Sequence, residues 1–237
     1  MSLALLCPGQ GAQHAAMFDR VRDLPAARDV LHAAGAVLYR DVFDAAADDA
    51  RFDNALAQPL LCAATLAHWQ VLRDGLPAPV VVAGYSIGER AAHAVAGSVD
   101  TATCLSLAAQ RARLMDAASP ADAGMQAVLG LQRHTLQPLC DAHGAHVAIA
   151  NGQDHFIVGG TQASLQALAD AARTQGAEIR PLPVHVPAHT PLLQAAVAPL
   201  AAALDASPLQ APRLPLLAGI DARPVRDRAA AVHTLSA

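Results

Sequence analysis

Two rhythms of apolar residues alternate along the chain: short continuous runs, and stretches in which Leu, Val and Ala return every three or four positions. Leu3–Cys7 is a run of the first kind, ends at Pro8-Gly9 and predicts a short strand. The helical period follows over 26–38 and 60–73. Residues 79–83 form a second run, rich in valine and wholly apolar, as a central strand of a parallel sheet requires. It breaks at Gly84-Tyr85-Ser86-Ile87-Gly88, and a helical stretch over 89–96 begins at once. Asp100 or Thr101 can cap a further helix that runs to about 118.

From Gly124 the rhythm changes. A strand is predicted at 125–129, a short helix at 136–142 closed by Gly144, and an alternating strand at His146–Ala150. Asn151-Gly152 signals a turn, 156–158 a returning strand, and Leu165, Leu168, Ala169 and Ala172 a helix closed by Gly176, before a strand at 177–182. That order, β-α-β-β-α-β, is ferredoxin-like. After Leu182 come a loop, a helix from about 192 and a strand at 214–220. The expected fold is α/β: a parallel-sheet body with helices on both faces, residues 1–123 and 184–237, into which a ferredoxin-like subdomain, 124–183, is inserted.

Composition narrows the possible functions. Apolar residues make up 54% of the 237, with aromatics only 3%, so the core must be built from Leu, Val and Ala. The net charge of −4 and the lack of a basic stripe argue against nucleic acid as a partner. The uncharged stretches 54–72 and 181–204 are interrupted by Gln58, Pro59, His68 and Gln70 and by Pro183, Pro187, Pro191 and Pro199, so neither is a bilayer helix and no membrane partner is expected. Cys7, Cys62, Cys104 and Cys140 are widely spaced, which predicts reduced thiols in a cytoplasmic protein and no metal site.

Ser86 is the first candidate for chemistry. Gly84-Tyr85-Ser86-Ile87-Gly88 fits G-x-S-x-G between a strand and a helix, where flanking glycines permit a strained turn that lifts the hydroxyl clear. The helix start behind it offers N–H groups to a developing oxyanion. The plainer alternative is a glycine-rich turn with a capping serine. A second cluster, Pro8-Gly9-Gln10-Gly11-Ala12-Gln13, lacks the third glycine of a dinucleotide fingerprint because position 14 is His14. Parallel strands align their C-terminal ends, so this loop and Ser86 are expected on one sheet edge.

Arg111 is the second candidate. Cys104, Leu107, Ala108, Leu114, Met115 and Ala118 define the apolar stripe of its helix, and Arg111 falls inside that stripe, whereas Arg113 joins the polar face. An inward guanidinium needs an anion. Either it grips a substrate carboxylate, or it pairs internally with an acid such as Glu89.

These motifs, with Arg111-Ala112-Arg113-Leu114-Met115 and Val186-Pro187-Ala188-His189, resemble the malonyl-CoA:acyl carrier protein transacylase family in order and spacing. The resemblance implies an α/β-hydrolase-like body with an inserted ferredoxin-like subdomain. It implies Ser86 as acylated nucleophile, His189 as its base, and the backbone N–H groups of Gln10 and Ile87 as the oxyanion hole. Arg111 would hold the malonyl carboxylate, with Gln58 and Asn151 in support. It implies malonyl-CoA as substrate, no permanently bound cofactor, and as acceptor a carrier protein bearing a phosphopantetheine-type or CoA-derived prosthetic group. Among the histidines, His93 lies about two helical turns past Ser86, roughly 10 Å along the axis, too far to serve. His14, near the first glycine loop, is a weaker competitor for the base.

Three departures qualify the resemblance. Tyr85 stands where the family more often has His. With Thr190-Pro191-Leu192-Leu193 after the histidine, it resembles the transacylase subunit of malonate decarboxylase, whose other subunits would then be partners. His155 stands where a Gln is usual. Family members also continue for several elements past the position of Ala237, leaving a shortened chain or an incomplete acyl pocket as the two readings. The leading expectation is malonyl transfer for a malonate decarboxylase. The alternatives are the same chemistry for fatty-acid or polyketide synthesis, a serine esterase, and a non-catalytic module docking a carrier protein. Arg90, Arg133 and Arg180 are expected on the surface, where an acidic carrier could meet them.

Overall fold

The computed structural model describes residues 2–236, so the chain end at Ala237 lies outside the described residues. The chain divides into two compact units, Met1–Arg113 with Val197–Ala237, and Leu114–Ala196.

The first unit is built on a parallel three-stranded sheet in the order β1 (Leu3–Cys7), β2 (Pro79–Gly84), β7 (Leu216–Leu217). β2 is central, which explains its uninterrupted apolar sequence. Its helices are α1 (Arg28–Leu38), α2 (Val42–Ala47), α3 (Asn54–Leu72), α4 (Gly88–Val95), α5 (Thr101–Ala118), α8 (Gln194–Ala206) and α9 (Arg228–Ser236), the unit boundaries falling inside α5 and α8. Leu60, Ile87, Leu105, Leu204 and Leu216 are completely or almost completely buried and form its core.

Local chemistry sets several boundaries. The Asp100 carboxylate accepts the Thr103 N–H at 2.7 Å, the N-cap that the sequence offers for α5. α3 begins at Asn54, not near 60: Asp53 adopts the extended N-cap conformation and the helix runs through Pro59. Proline near the start of a helical pattern invites placing it at the first helical position. Here it lies deeper, where the helix forgoes one backbone bond. β7 is confined to two residues of the expected 214–220 run. Pro215 and Gly219 bracket it, and Leu217 is already bridged to Pro224. α2 and α9, short and rich in alanine, were not expected.

The second unit carries an antiparallel sheet in the order β4 (His146–Ala150), β5 (His155–Thr161), β3 (Ala123–Leu129), β6 (Glu178–Pro181), with α6 (Arg133–His143) and α7 (Gln162–Thr174). This is the ferredoxin-like arrangement. Both sheet faces are apolar, because successive strand residues point to opposite sides. Val128, Phe156 and Val158 pack with Leu136, Cys140, Leu165 and Leu168 of the two helices. Met125, Ala127 and Ile157 pack on the other side with Val184, Val186, Ala188 and Leu193.

Candidate active site

The turn from β2 into α4 is tightly constrained. Ser86 has φ +54°, a left-handed conformation that strains a residue with a side chain by about 1–3 kcal/mol. A Cβ on Gly84 would overlap the Glu89 backbone, and one on Gly88 would overlap the Cys7 and Pro8 carbonyls. Both glycines of G-x-S-x-G are therefore required by space. The Tyr85 N–H donates to Cys7 O at 3.0 Å, and a Cβ on Gly9 would stand 2.7 Å from the Tyr85 carbonyl oxygen. The serine turn and the first glycine loop thus press together backbone to backbone. Gly88→Ala is expected to force them apart, lowering stability by about 2 kcal/mol or more. A urea midpoint equal to that of the wild type would contradict this.

Gln10 and Ile87 lie on these adjoining turns. The Gly88, Glu89 and Arg90 N–H groups close onto the carbonyls of Tyr85, Ser86 and Ile87 at 3.0–3.1 Å. The Ile87 N–H precedes them and, like that of Gln10, takes no part in these backbone bonds. The glycine loop is folded by Gln13, whose Oε1 accepts the Gly11 N–H at 2.6 Å and whose Nε2 reaches Arg51 O at 3.4 Å.

Helix α3 supplies a buried polar stripe. Gln58, completely buried, donates from Nε2 to Asn54 Oδ1 at 2.6 Å, and Asn54 Nδ2 donates to Ala112 O at 3.1 Å. Cys62, one turn beyond Gln58, has its Sγ 3.8 Å from Ile87 O. α3 is thereby tied both to the serine turn and to the turn of α5 that carries Arg111. Asn54 and Gln13 are site-building residues that the sequence reading missed. The one signal for Asn54 is a polar side chain four residues before Gln58 in an apolar stretch.

Arg111 is half-buried, with its Nη1 buried and unbonded among the described residues. Burial first, and then the charge of Arg90, pull its pKa down to about 9. It remains a cation at neutral pH, and the pull measures what an arriving anion would relieve. The internal ion pair with Glu89 is not formed among the described residues. Glu89 instead accepts the Gly219 N–H at 3.1 Å, and burial raises its pKa.

Other expectations change. Arg90 is only 4% exposed, so it cannot greet a carrier protein, whereas Arg133 and Arg180 are exposed, the latter paired with Glu178 at 2.6 Å. α4 is short and buried on every side from Gly88 to His93, leaving no polar face on which Arg90 could sit. His93 is buried with Nδ1 3.2 Å from Ser98 Oγ, and burial pushes its pKa down to about 4. His14 is exposed.

His189 and Asn151 belong to the second unit, unlike Gln10, Gln58, Ser86, Ile87 and Arg111. His189 is exposed with φ +59°, between buried Ala188 and Thr190. Thr190 Oγ1 donates to Pro187 O at 2.6 Å, and a Cβ on Gly159 would stand 2.9 Å from Thr190 Cγ2 and 3.3 Å from Pro187. Gly159 thus lets the histidine turn lie flat on β5. Asn151 is exposed in the β4–β5 turn, its N–H donating to His155 O at 2.9 Å. No group of three or more His, Cys, Asp or Glu among the described residues forms a metal-binding set, and no described helix is long and apolar enough to cross a membrane.

Comparison with known proteins bears on this geometry. The family described as Acyl transferase domain matches residues 4–234. The malonyl CoA-acyl carrier protein transacylase of Mycobacterium tuberculosis is 34% identical over 208 residues, covering 85% of this chain and 68% of the relative. The solved malonyl CoA-acyl carrier protein transacylase of Coxiella burnetii superposes with a TM-score of 0.92 at 26% identity, covering 100% of this chain and 78% of that one. A malonyl-transacylase solved in complex with its type II polyketide acyl-carrier protein gives a TM-score of 0.93 at 27% identity, covering 100% and 80%.

Proposed function

We propose that this chain, which belongs to the acyl transferase domain family, moves a malonyl group from malonyl-CoA to the thiol of an acyl carrier protein. The observation that carries the reading is the strained Ser86 turn, held against the Gln10 loop in the same unit as an inward Arg111 nitrogen that is unbonded among the described residues. Ser86 Oγ attacks the thioester carbonyl while His189 takes its proton. The oxyanion is met by the Gln10 and Ile87 N–H groups. CoA leaves as the thiol, carrying the proton that His189 returns, and a malonyl ester stays on Ser86. The carrier thiol then attacks in turn, and Ser86 is regenerated. Arg111 selects the acyl group by its carboxylate, with Gln58 and Asn151 in support. A serine esterase is disfavoured, since a neutral ester leaves the Arg111 nitrogen unmatched.

The acceptor favoured by the relatives is a carrier protein of fatty-acid or polyketide synthesis. Service to a malonate decarboxylase rests on Tyr85, 43% exposed beside Gly9, and on the Thr190–Leu193 stretch. The finer choice is made by the second half-reaction. Mixed with malonyl-CoA, the protein should gain one malonyl unit in its intact mass, with little adduct from acetyl-CoA. Discharge to a phosphopantetheine-bearing carrier supports the first acceptor, and discharge only to a carrier with a CoA-derived group supports the second. No adduct from malonyl-CoA would contradict the enzyme reading and favour a docking module.

A further inference from the structure

The loop that follows β1 is exposed at its tip and anchored from beneath by a buried side chain. Gly11 and Ala12 are exposed, and a Cβ on Gly11 would meet nothing within 4 Å among the described residues, so no neighbour packs on the loop there. Gly11 also has φ +123°, a conformation that glycine adopts without strain and leaves as readily. Gln13, 4% exposed, supplies the restraint that packing does not. Its Oε1 accepts the Gly11 N–H at 2.6 Å, and its Nε2 donates over a longer 3.4 Å to Arg51 O.

The anchored N–H is the next one along the chain from that of Gln10, a proposed donor to the oxyanion. The Gln10 peptide is therefore held from both sides. Before it, the Tyr85 N–H donates to Cys7 O at 3.0 Å and Gly9 is pressed against the Tyr85 carbonyl, so the serine turn itself fixes the chain up to Gly9. After it, Gln13 holds Gly11. Arg51 extends the connection: it lies in the turn Asp49–Phe52 that leads into α3, and its Nη1 donates to Asp48 O at 2.8 Å. α3 also reaches the residue of the second proposed donor, with Cys62 Sγ 3.8 Å from Ile87 O. Both donor loops are thus tied to α3 or to the turn before it.

We propose that Gln13 is a positioning residue for acylation of Ser86: by holding the Gly11 N–H, it fixes the direction in which the Gln10 N–H meets the oxyanion. The inference rests on the reading of Gln10 as an oxyanion donor. Gln13 acts through the backbone and not on the acyl chain. The oxyanion forms at the thioester carbonyl, which malonyl and acetyl share, so Gln13 governs the rate for both acyl groups alike and leaves the choice between them to Arg111.

The test measures single-turnover acylation of Ser86 by intact mass over a range of malonyl-CoA and acetyl-CoA concentrations, with the melting temperature of every variant. Gln13→Met keeps the length of the side chain and loses both bonds. Its maximal rate should fall by about 10- to 100-fold with either thioester, the loss expected when a donor is displaced and not removed. The half-saturating concentration of malonyl-CoA and the malonyl-to-acetyl ratio should stay within about twofold of the wild type, because the lost interaction belongs to the transition state. A merely structural role would show as early melting and a raised half-saturating concentration, with the maximal rate of the folded fraction unchanged. Gln13→Glu is the conservative variant. A buried carboxyl facing a carbonyl favours its acid form, which accepts with one oxygen and donates with the other. Its rate relative to the wild type should therefore exceed that of Gln13→Met and rise as the pH is lowered from about 8 to about 6. A wild-type maximal rate in Gln13→Met, or a fall confined to malonyl, overturns the proposal. If Gln13→Met melts too early to assay, a relative rate of Gln13→Glu that ignores pH overturns it. Gln10→Pro, which deletes the donor itself, separates the two ideas. A slow Gln10→Pro beside a fast Gln13→Met removes only the role of Gln13, and a wild-type rate in Gln10→Pro removes the oxyanion donor and with it this inference.

Discussion

Ser86→Ala should leave a folded protein that gains no malonyl adduct and transfers malonyl more slowly by about 10⁴- to 10⁶-fold. The backbone argument makes this a clean experiment. Position 86 is left-handed in the wild type, and alanine has the same Cβ as serine, so the substitution adds no strain to the turn. Gly84 and Gly88, which make the turn possible, are untouched. What disappears is the hydroxyl. An adduct persisting on Ser86→Ala would require another nucleophile, and the thiols are poor candidates. Cys7, Cys62, Cys104 and Cys140 are all buried, with burial pushing Cys7 up to about 12 and Cys140 up to about 11. A thiol held protonated is not a nucleophile. An unchanged adduct would therefore move the search to another hydroxyl and undo the assignment of the turn.

The parts of this site that could be read in the sequence are those that local rules decide. The run before Gly84, the two glycines and the helix after Gly88 are contiguous, so strand, turn and candidate nucleophile emerged together. The inward placement of Arg111 followed from helical spacing alone: Cys104, Leu107, Ala108 and Met115 are buried as the stripe predicts, and Arg113 is exposed. The β-α-β-β-α-β unit was legible because Gly144, Asn151-Gly152 and Gly176 mark its turns.

Features made by contacts across the chain were not legible. Asn54 is joined to the Arg111 turn through a carbonyl 58 residues away, and no spacing rule reports such a bond. Gly159 matters to the His189 turn because another loop lies on it, which looks in the sequence like any strand glycine. Arg90 was misplaced for a related reason. The polar residues of α4 read as a solvent face, so the default surface assignment for arginine prevailed over a burial that only the packing of α4 imposes.

Arg111→Ala should cost most of the acyl selectivity, with the malonyl-to-acetyl ratio of kcat/KM falling by roughly 10⁴-fold. The size follows from what the wild type does to each acyl chain. On the proposed clamp, a malonyl carboxylate would meet a guanidinium nitrogen that is buried and unbonded among the described residues, so binding would relieve an existing penalty as well as form a charge-assisted bond. An acetyl group leaves that penalty in place. Removing the guanidinium removes both effects at once, and the change must be larger than that of losing a surface contact, typically worth below about 1 kcal/mol. Arg111→Lys should fall between the two, because an ammonium keeps the charge but not the planar fork. The supporting bond runs from the Asn54 side chain to the Ala112 backbone carbonyl and does not involve the residue 111 side chain, so the α5 turn should hold its position. An unchanged ratio in Arg111→Ala would mean that the carboxylate is met elsewhere. The inward face of α5 would then be explained by packing alone, and the case for malonyl as the acyl group would rest on the serine turn and the relatives.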